Sequence, residues 1–122
     1  MKMWHELFFF ILRRIKMTWV YLFLAGIFEV VWSSTMKLSN GFSHFWWTIL
    51  TFIGMIISFA MLSLSLKNLP LSFAYPIWTG VGAIGSIIIG VLFFGDKLSI
   101  FTWFFVVLLI IGIIGIKFTS GH

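Results

Sequence analysis

Four apolar runs, at about 19–36, 45–66, 71–94 and 100–116, limit what this chain can fold into more than any other feature. Each holds about 17–24 residues, enough to cross a hydrocarbon core of about 30 Å as a helix. Between them lie Lys37-Leu38-Ser39-Asn40-Gly41, Lys67-Asn68-Leu69-Pro70 and Gly95-Asp96-Lys97-Leu98-Ser99, each combining turn formers with a charge. The expected architecture is an all-α membrane protein, four transmembrane helices joined by short loops into one bundle, with no repeat or low-complexity tract. Charged residues make up 9% of the chain, against about 25% in an ordinary soluble domain, so the bilayer is the expected solvent.

Residues 1–16 read differently. Met3 to Leu12 is apolar for only about ten residues before Arg13-Arg14-Ile15-Lys16, too short to span and better suited to the interface. It lacks the small-residue cleavage site of a signal peptide. Met17 opens a segment that reads as a complete unit, so 1–16 is expected to be a basic extension from an upstream start codon or a cloning addition, and 17–122 the four-helix domain.

Charge placement bears on orientation and assembly. With four spans the termini and second loop share one side, which carries Lys2, Arg13, Arg14, Lys16, Lys67 and Lys117 against Lys37 and Lys97 opposite. That bias favours cytoplasmic termini. Counted from Met17, two lysines face two, and a balanced four-helix protein can insert both ways and pair as an antiparallel dimer. The net charge of +5 does not indicate nucleic acid, because the basic residues sit singly at the ends of apolar runs. The absence of cysteine removes thiolate chemistry, and His5, His44 and His122 are too scattered for a metal cluster. No metal or other cofactor is expected, and no second acid or nucleophile in the spans suggests an enzyme.

The costly residue is Glu29, within the first run. A charge at the bilayer centre costs about 3 kcal/mol on insertion scales and marks ion or proton pathways. On a helix it shares a face with Ala25, Gly26, Trp32 and Ser33. The small residues open space beside the carboxylate, and Trp32 adds an aromatic wall with one N–H donor. Lys37 lies about 12 Å away along the axis, too far to pair and free to snorkel. In the third run Tyr75, Trp78, Thr79 and Gly82 share a face, and aromatic rings beside an acid suit an organic cation. Trp46, Trp47 and Trp103 lie near run ends and read as an interfacial belt. Pro76 with Gly80, Gly82, Gly85 and Gly90 marks a bending helix, while Gly82, Ser86 and Gly90 equally read as a close-packing stripe. Gly112 and Gly115 suggest a tight interface in the bundle or between protomers. In the second run, Gly54 and Ser58 form another small stripe, and Ser58 is expected to bond either a carboxylate or its own helix.

Over Met17 to Ser120 these residues resemble the small multidrug resistance family of bacterial inner-membrane transporters. The similarity is carried by Ala25-Gly26-Ile27-Phe28-Glu29-Val30-Val31-Trp32, Met36-Lys37, Gly41-Phe42, Leu69-Pro70, Ala74-Tyr75 and Ile77-Trp78-Thr79-Gly80-Val81-Gly82. The resemblance implies an antiparallel homodimer, or a heterodimer with a homologous chain, in which two first-helix glutamates meet in one site. Protons and a cationic substrate would compete there, driving export. It makes Glu29 the shared proton and substrate group, Trp32, Ser58, Tyr75 and Trp78 the substrate pocket, Gly80 and Gly82 the hinge, and Gly112 the dimer contact. Glu29-Val30-Val31-Trp32 looks like the guanidinium-exporting branch. Ser33-Ser34-Thr35-Met36 is nearer the quaternary-ammonium or multidrug branch, and Pro76 replaces the usual small residue after the tyrosine. A multidrug cation exporter and a non-transporting small membrane protein are the alternatives.

Overall fold

A computed structural model describes residues 2–120, and among them the chain forms four helices. These are α1 (Lys2–Leu38), α2 (Phe45–Leu66), α3 (Leu71–Phe93) and α4 (Ile100–Thr119). All four are long and apolar enough to cross a membrane. His122, the end of the expected 17–122 unit, lies outside the described residues.

The bounds of α2 coincide with the second apolar run, and α3 differs from the third by one residue. The other two helices run longer. α4 continues past Lys117, whose flexible stem lets a helix carry its charge without ending the apolar segment. α1 makes one helix of residues 2–16 and the first span. Before Gly26 the sequence has neither glycine nor proline to interrupt the backbone ladder, so the interfacial piece and the span are not separated. At 37 residues α1 is about 55 Å long by its rise, well beyond the thickness of a hydrocarbon core.

The turns follow from local chemistry. α1 stops where Asn40, Gly41 and Phe42 all take left-handed φ, at 50°, 70° and 65°. Buried Ser39 secures this stop, its Oγ donating to Met36 O at 2.6 Å and accepting from Phe42 N at 3.1 Å. Pro70 caps α3, its carbonyl accepting from the Phe73 and Ala74 amides at 3.1 Å each. α3 ends at Phe93, and just beyond it Gly95, with φ of 70°, turns the chain so that Asp96 N donates to Gly90 O at 3.0 Å. Ser99 caps α4 by accepting from Thr102 N at 3.2 Å.

Packing is uneven. α1 lies against both α2 and α3, whereas α4 contacts only α3 through its backbone. The core gathers Leu22 and Ala25 of α1, Leu62 of α2, Leu69 of the turn, and Ala74, Ile77 and Trp78 of α3. Hydroxyl pairs hold the helices together where lipid offers no hydrophobic drive. Ser33 Oγ meets Ser86 Oγ at 2.9 Å between α1 and α3, and Thr35 Oγ1 meets Thr51 Oγ1 at 2.8 Å between α1 and α2. Val106 is the only buried residue of α4.

Candidate functional site

α1 carries Glu29 against α3 and, one turn on, Trp32 against α2. Gly82 of α3 makes room for it: a Cβ built there would run into the Glu29 carboxylate itself. The same close approach recurs along the α1–α3 seam, where a Cβ at Gly26 would strike Val81 and one at Gly85 would strike Val30. On α2, Gly54 admits the Cβ and backbone of Trp32. Two small-residue stripes thus bring three helices together around one carboxylate.

Two polar atoms here are buried with no hydrogen-bond partner among the described residues: Glu29 Oε2 and Trp32 Nε1. One is an acceptor and the other a donor, three residues apart on α1. Burying such a group unpaired costs about 1–3 kcal/mol in proteins, and of the two only the Glu29 oxygen can accept from a cationic donor.

Ser58 does not follow either sequence expectation. It bonds neither a carboxylate nor its own helix; its Oγ crosses to α1 and donates to Ala25 O at 2.6 Å. Trp78 Nε1 joins from α3, reaching Ser58 Oγ at 3.0 Å and Ala25 O at 3.2 Å. Ala25 and Ser58 are fully buried and Trp78 nearly so, so this three-helix node fixes the indole just one turn from Glu29. The node forms because Ala25 is small enough to expose its carbonyl to both neighbours.

From Trp78 an aromatic row runs both ways. Tyr75 lies on one side with ring centroids 5.4 Å apart, and Phe59 on the other at 5.8 Å. Phe59 then reaches Trp32 at 6.4 Å, edge to face. Trp32, Phe59, Trp78 and Tyr75 therefore form one continuous wall. Nothing in the sequence distinguishes Phe59 from the other fifteen phenylalanines. The α3 face expected to hold Tyr75, Trp78, Thr79 and Gly82 divides into two: Trp78 and Gly82 are buried, and Tyr75 and Thr79 are exposed.

Gly80 and Gly82 sit in an unbroken α3 despite Pro76, Gly80 closely covered by Ile113 of α4 and Gly82 by Glu29. Their positions are those of close packing. Gly112 and Gly115 are exposed and a Cβ on either meets nothing. Ser33, expected only to leave space, bonds Ser86 and with it borders a cavity of about 200 Å³ also lined by Ser34, Lys37 and Asp96. Among the described residues no three His, Asp or Glu side chains gather to hold a metal ion.

A carboxylate oxygen beside an aromatic wall, in a membrane-spanning bundle, is chemistry suited to an organic cation or a proton. The family described as Small Multidrug Resistance protein matches residues 17–109, and the chain belongs to that family. Among similar proteins, the guanidinium exporter of Proteus vulgaris is 41% identical over 104 residues, covering 85% of this chain and all of the relative. Guanidinium exporters of Salmonella typhimurium and Citrobacter freundii are 42% and 40% identical over 104 residues, covering 85% of this chain and 99% of theirs.

Proposed function

We propose that this protein is a proton-coupled antiporter that exports guanidinium or guanidinyl compounds across the bacterial inner membrane. The observation that carries the reading is Glu29 Oε2, a buried acceptor without a partner among the described residues, lying against Gly82 and one helical turn from both Trp32 and Trp78 of the Trp32–Phe59–Trp78–Tyr75 wall. Guanidinium is planar, carries only donors and matches a carboxylate bidentately, while its face stacks on aromatic rings. The names of the similar exporters support the same cargo. In the proposed cycle ionised Glu29 takes the cation from the cytoplasm, and a proton arriving from outside displaces it. Only one of the two occupants is held at a time, so the inward proton gradient drives export.

The working unit is a dimer, with this chain or with a homologue of opposite orientation. The uncovered face of α4 bearing Gly112 supports this, as does a site in which one chain supplies a single acid. Residues 1–16 stand outside the transport unit of 17–122. Gly80 and Gly82 serve as the hinge, exchanging close packing against Ile113 and Glu29 between two states.

Liposome transport under an imposed pH gradient tests the reading. Guanidinium should move against the proton gradient in wild-type vesicles and not with Glu29→Gln, while the variant still folds. Proton-driven guanidinium movement by Glu29→Gln would refute the mechanism. Transport of a bulky aromatic quaternary ammonium in preference to guanidinium would refute the cargo.

A further inference from the structure

We propose that Arg13, Arg14 and Lys67 form a binding site for a phosphate-bearing anion, occupied by the headgroup of an acidic phospholipid. The site lies where the basic stretch of α1 passes the end of α2. There the two elements enclose a cavity of about 300 Å³, whose polar lining comes from Arg13, Arg14, Thr18 and Tyr21 of α1 with Lys67 and Asn68 of the α2–α3 turn. No acid lines it among the described residues; Glu6 borders a separate cavity with Arg13 and Lys16.

Three features make this more than a scatter of surface charge. The cations come from two helices: Lys67 caps the C-terminus of α2, while Arg13 and Arg14 lie on the stretch of α1 that continues beyond it. The junction is pinned, because Asn68 Nδ2 donates to Thr18 Oγ1 at 3.0 Å and Thr18 Oγ1 donates to Arg14 O at 2.8 Å. Arg14 is also seated, its guanidinium 5.5 Å from the Phe10 ring centroid. Like charges gathered in this way repel, and an anion between them removes the repulsion.

The remaining lining identifies the source of the anion. Phe10, Met17 and Leu64 border the same cavity, so an acyl chain can lie on apolar side chains while its phosphate meets the cations. Basic pockets between transmembrane helices take acidic headgroups in this manner. The site is also at the depth of the interface, level with the end of α2. Free phosphate is also an anion but gains nothing from the apolar lining.

The 122-residue chain, purified and placed in nanodiscs of phosphatidylcholine with increasing phosphatidylglycerol, provides the test, with native mass spectrometry counting retained lipid. Phosphatidylglycerol should be retained over phosphatidylcholine, and Arg13→Gln, Arg14→Gln and Lys67→Gln should each weaken retention about fivefold. Lys67→Arg should keep it. Lys37→Gln and Lys97→Gln, at the other end of the bundle, should leave it unchanged. Circular dichroism separates a lost site from a lost fold, and each single variant is read on its own. In a parallel arm inorganic phosphate is titrated into protein held in neutral detergent with bound phosphatidylglycerol, and the lipid retained is counted. Competition by phosphate at millimolar levels would assign the site to free anion and overturn the lipid as occupant. Equal retention across all variants, or an equal loss with Lys37→Gln, would overturn the site altogether.

Discussion

Gly82 and Glu29 are in such close contact that no side chain fits between them: any Cβ at position 82 would occupy the space of the carboxylate. Gly82→Ala therefore has to push Glu29 out of the groove or separate α1 from α3. The atoms in the way are the end of the flexible Glu29 side chain, so turning the carboxylate aside costs the fold little. Guanidinium binding should weaken clearly more than helix packing, because the displaced group is the acceptor itself. Binding calorimetry in detergent alongside unfolding in mixed micelles would measure both. Unaltered binding by a folded Gly82→Ala protein would show that the carboxylate does not act from the observed position.

The node at Ala25 O predicts a particular pattern of energies. Ser58→Ala removes the bond to Ala25 O and the bond from Trp78 Nε1, but the indole keeps Ala25 O. The expected loss is about 1 kcal/mol. Trp78→Phe removes the same Nε1–Oγ bond from the other side. The double variant should thus cost less than the sum of the singles by about 0.5–1.5 kcal/mol, the worth of the shared bond. Strict additivity in a double-mutant cycle would mean that the two side chains do not act on each other.

Much of this arrangement was legible in the chain, for physical reasons that also mark the limits. Apolar length and turn chemistry located α2 within a residue at each end, since His44 and Lys67 flank it with polar groups. They did not locate the start of α1, because hydrophobicity continues through Phe8, Phe9 and Phe10 and nothing breaks the helix before Gly26. Glu29 stood out by its cost in lipid. The partner of Ser58 did not, since the acceptor is a backbone carbonyl uncovered by Ala25, and sequence carries no record of which carbonyl a neighbouring helix will reach. Phe59 was hidden for a simpler reason: in so apolar a span, a ring that lines a site looks like one that faces lipid.

The pH dependence of binding follows from competition at one oxygen. A proton on Glu29 removes the charge that attracts a cation, so guanidinium affinity should rise as pH rises and level off once the carboxylate is ionised. Below that plateau the slope is about tenfold per pH unit for each proton displaced. Equilibrium binding over a pH series checks this, with Glu29→Gln as the control that should bind weakly at every pH. Affinity independent of pH in the wild-type protein would separate proton movement from cargo binding.

Orientation offers the last test, and it concerns assembly. The stretch Arg13, Arg14 and Lys16 continues directly into the first span as one helix, so its charges act at the end of the segment that inserts first. With them in place one side carries six cations against Lys37 and Lys97, and every copy should insert with its termini in the cytoplasm. Replacing all three by glutamine leaves Lys2, Lys67 and Lys117 against those two lysines, close to balance. Accessibility labelling of tags at the termini should then report a single orientation for the wild-type chain and a mixture for the variant. The wild-type result bears directly on the dimer: copies that all face one way cannot form an antiparallel homodimer, and the partner would have to be a homologous chain of opposite bias. Mixed orientation in the wild-type chain would instead show that the extension does not govern insertion, and would leave the chain free to pair with itself.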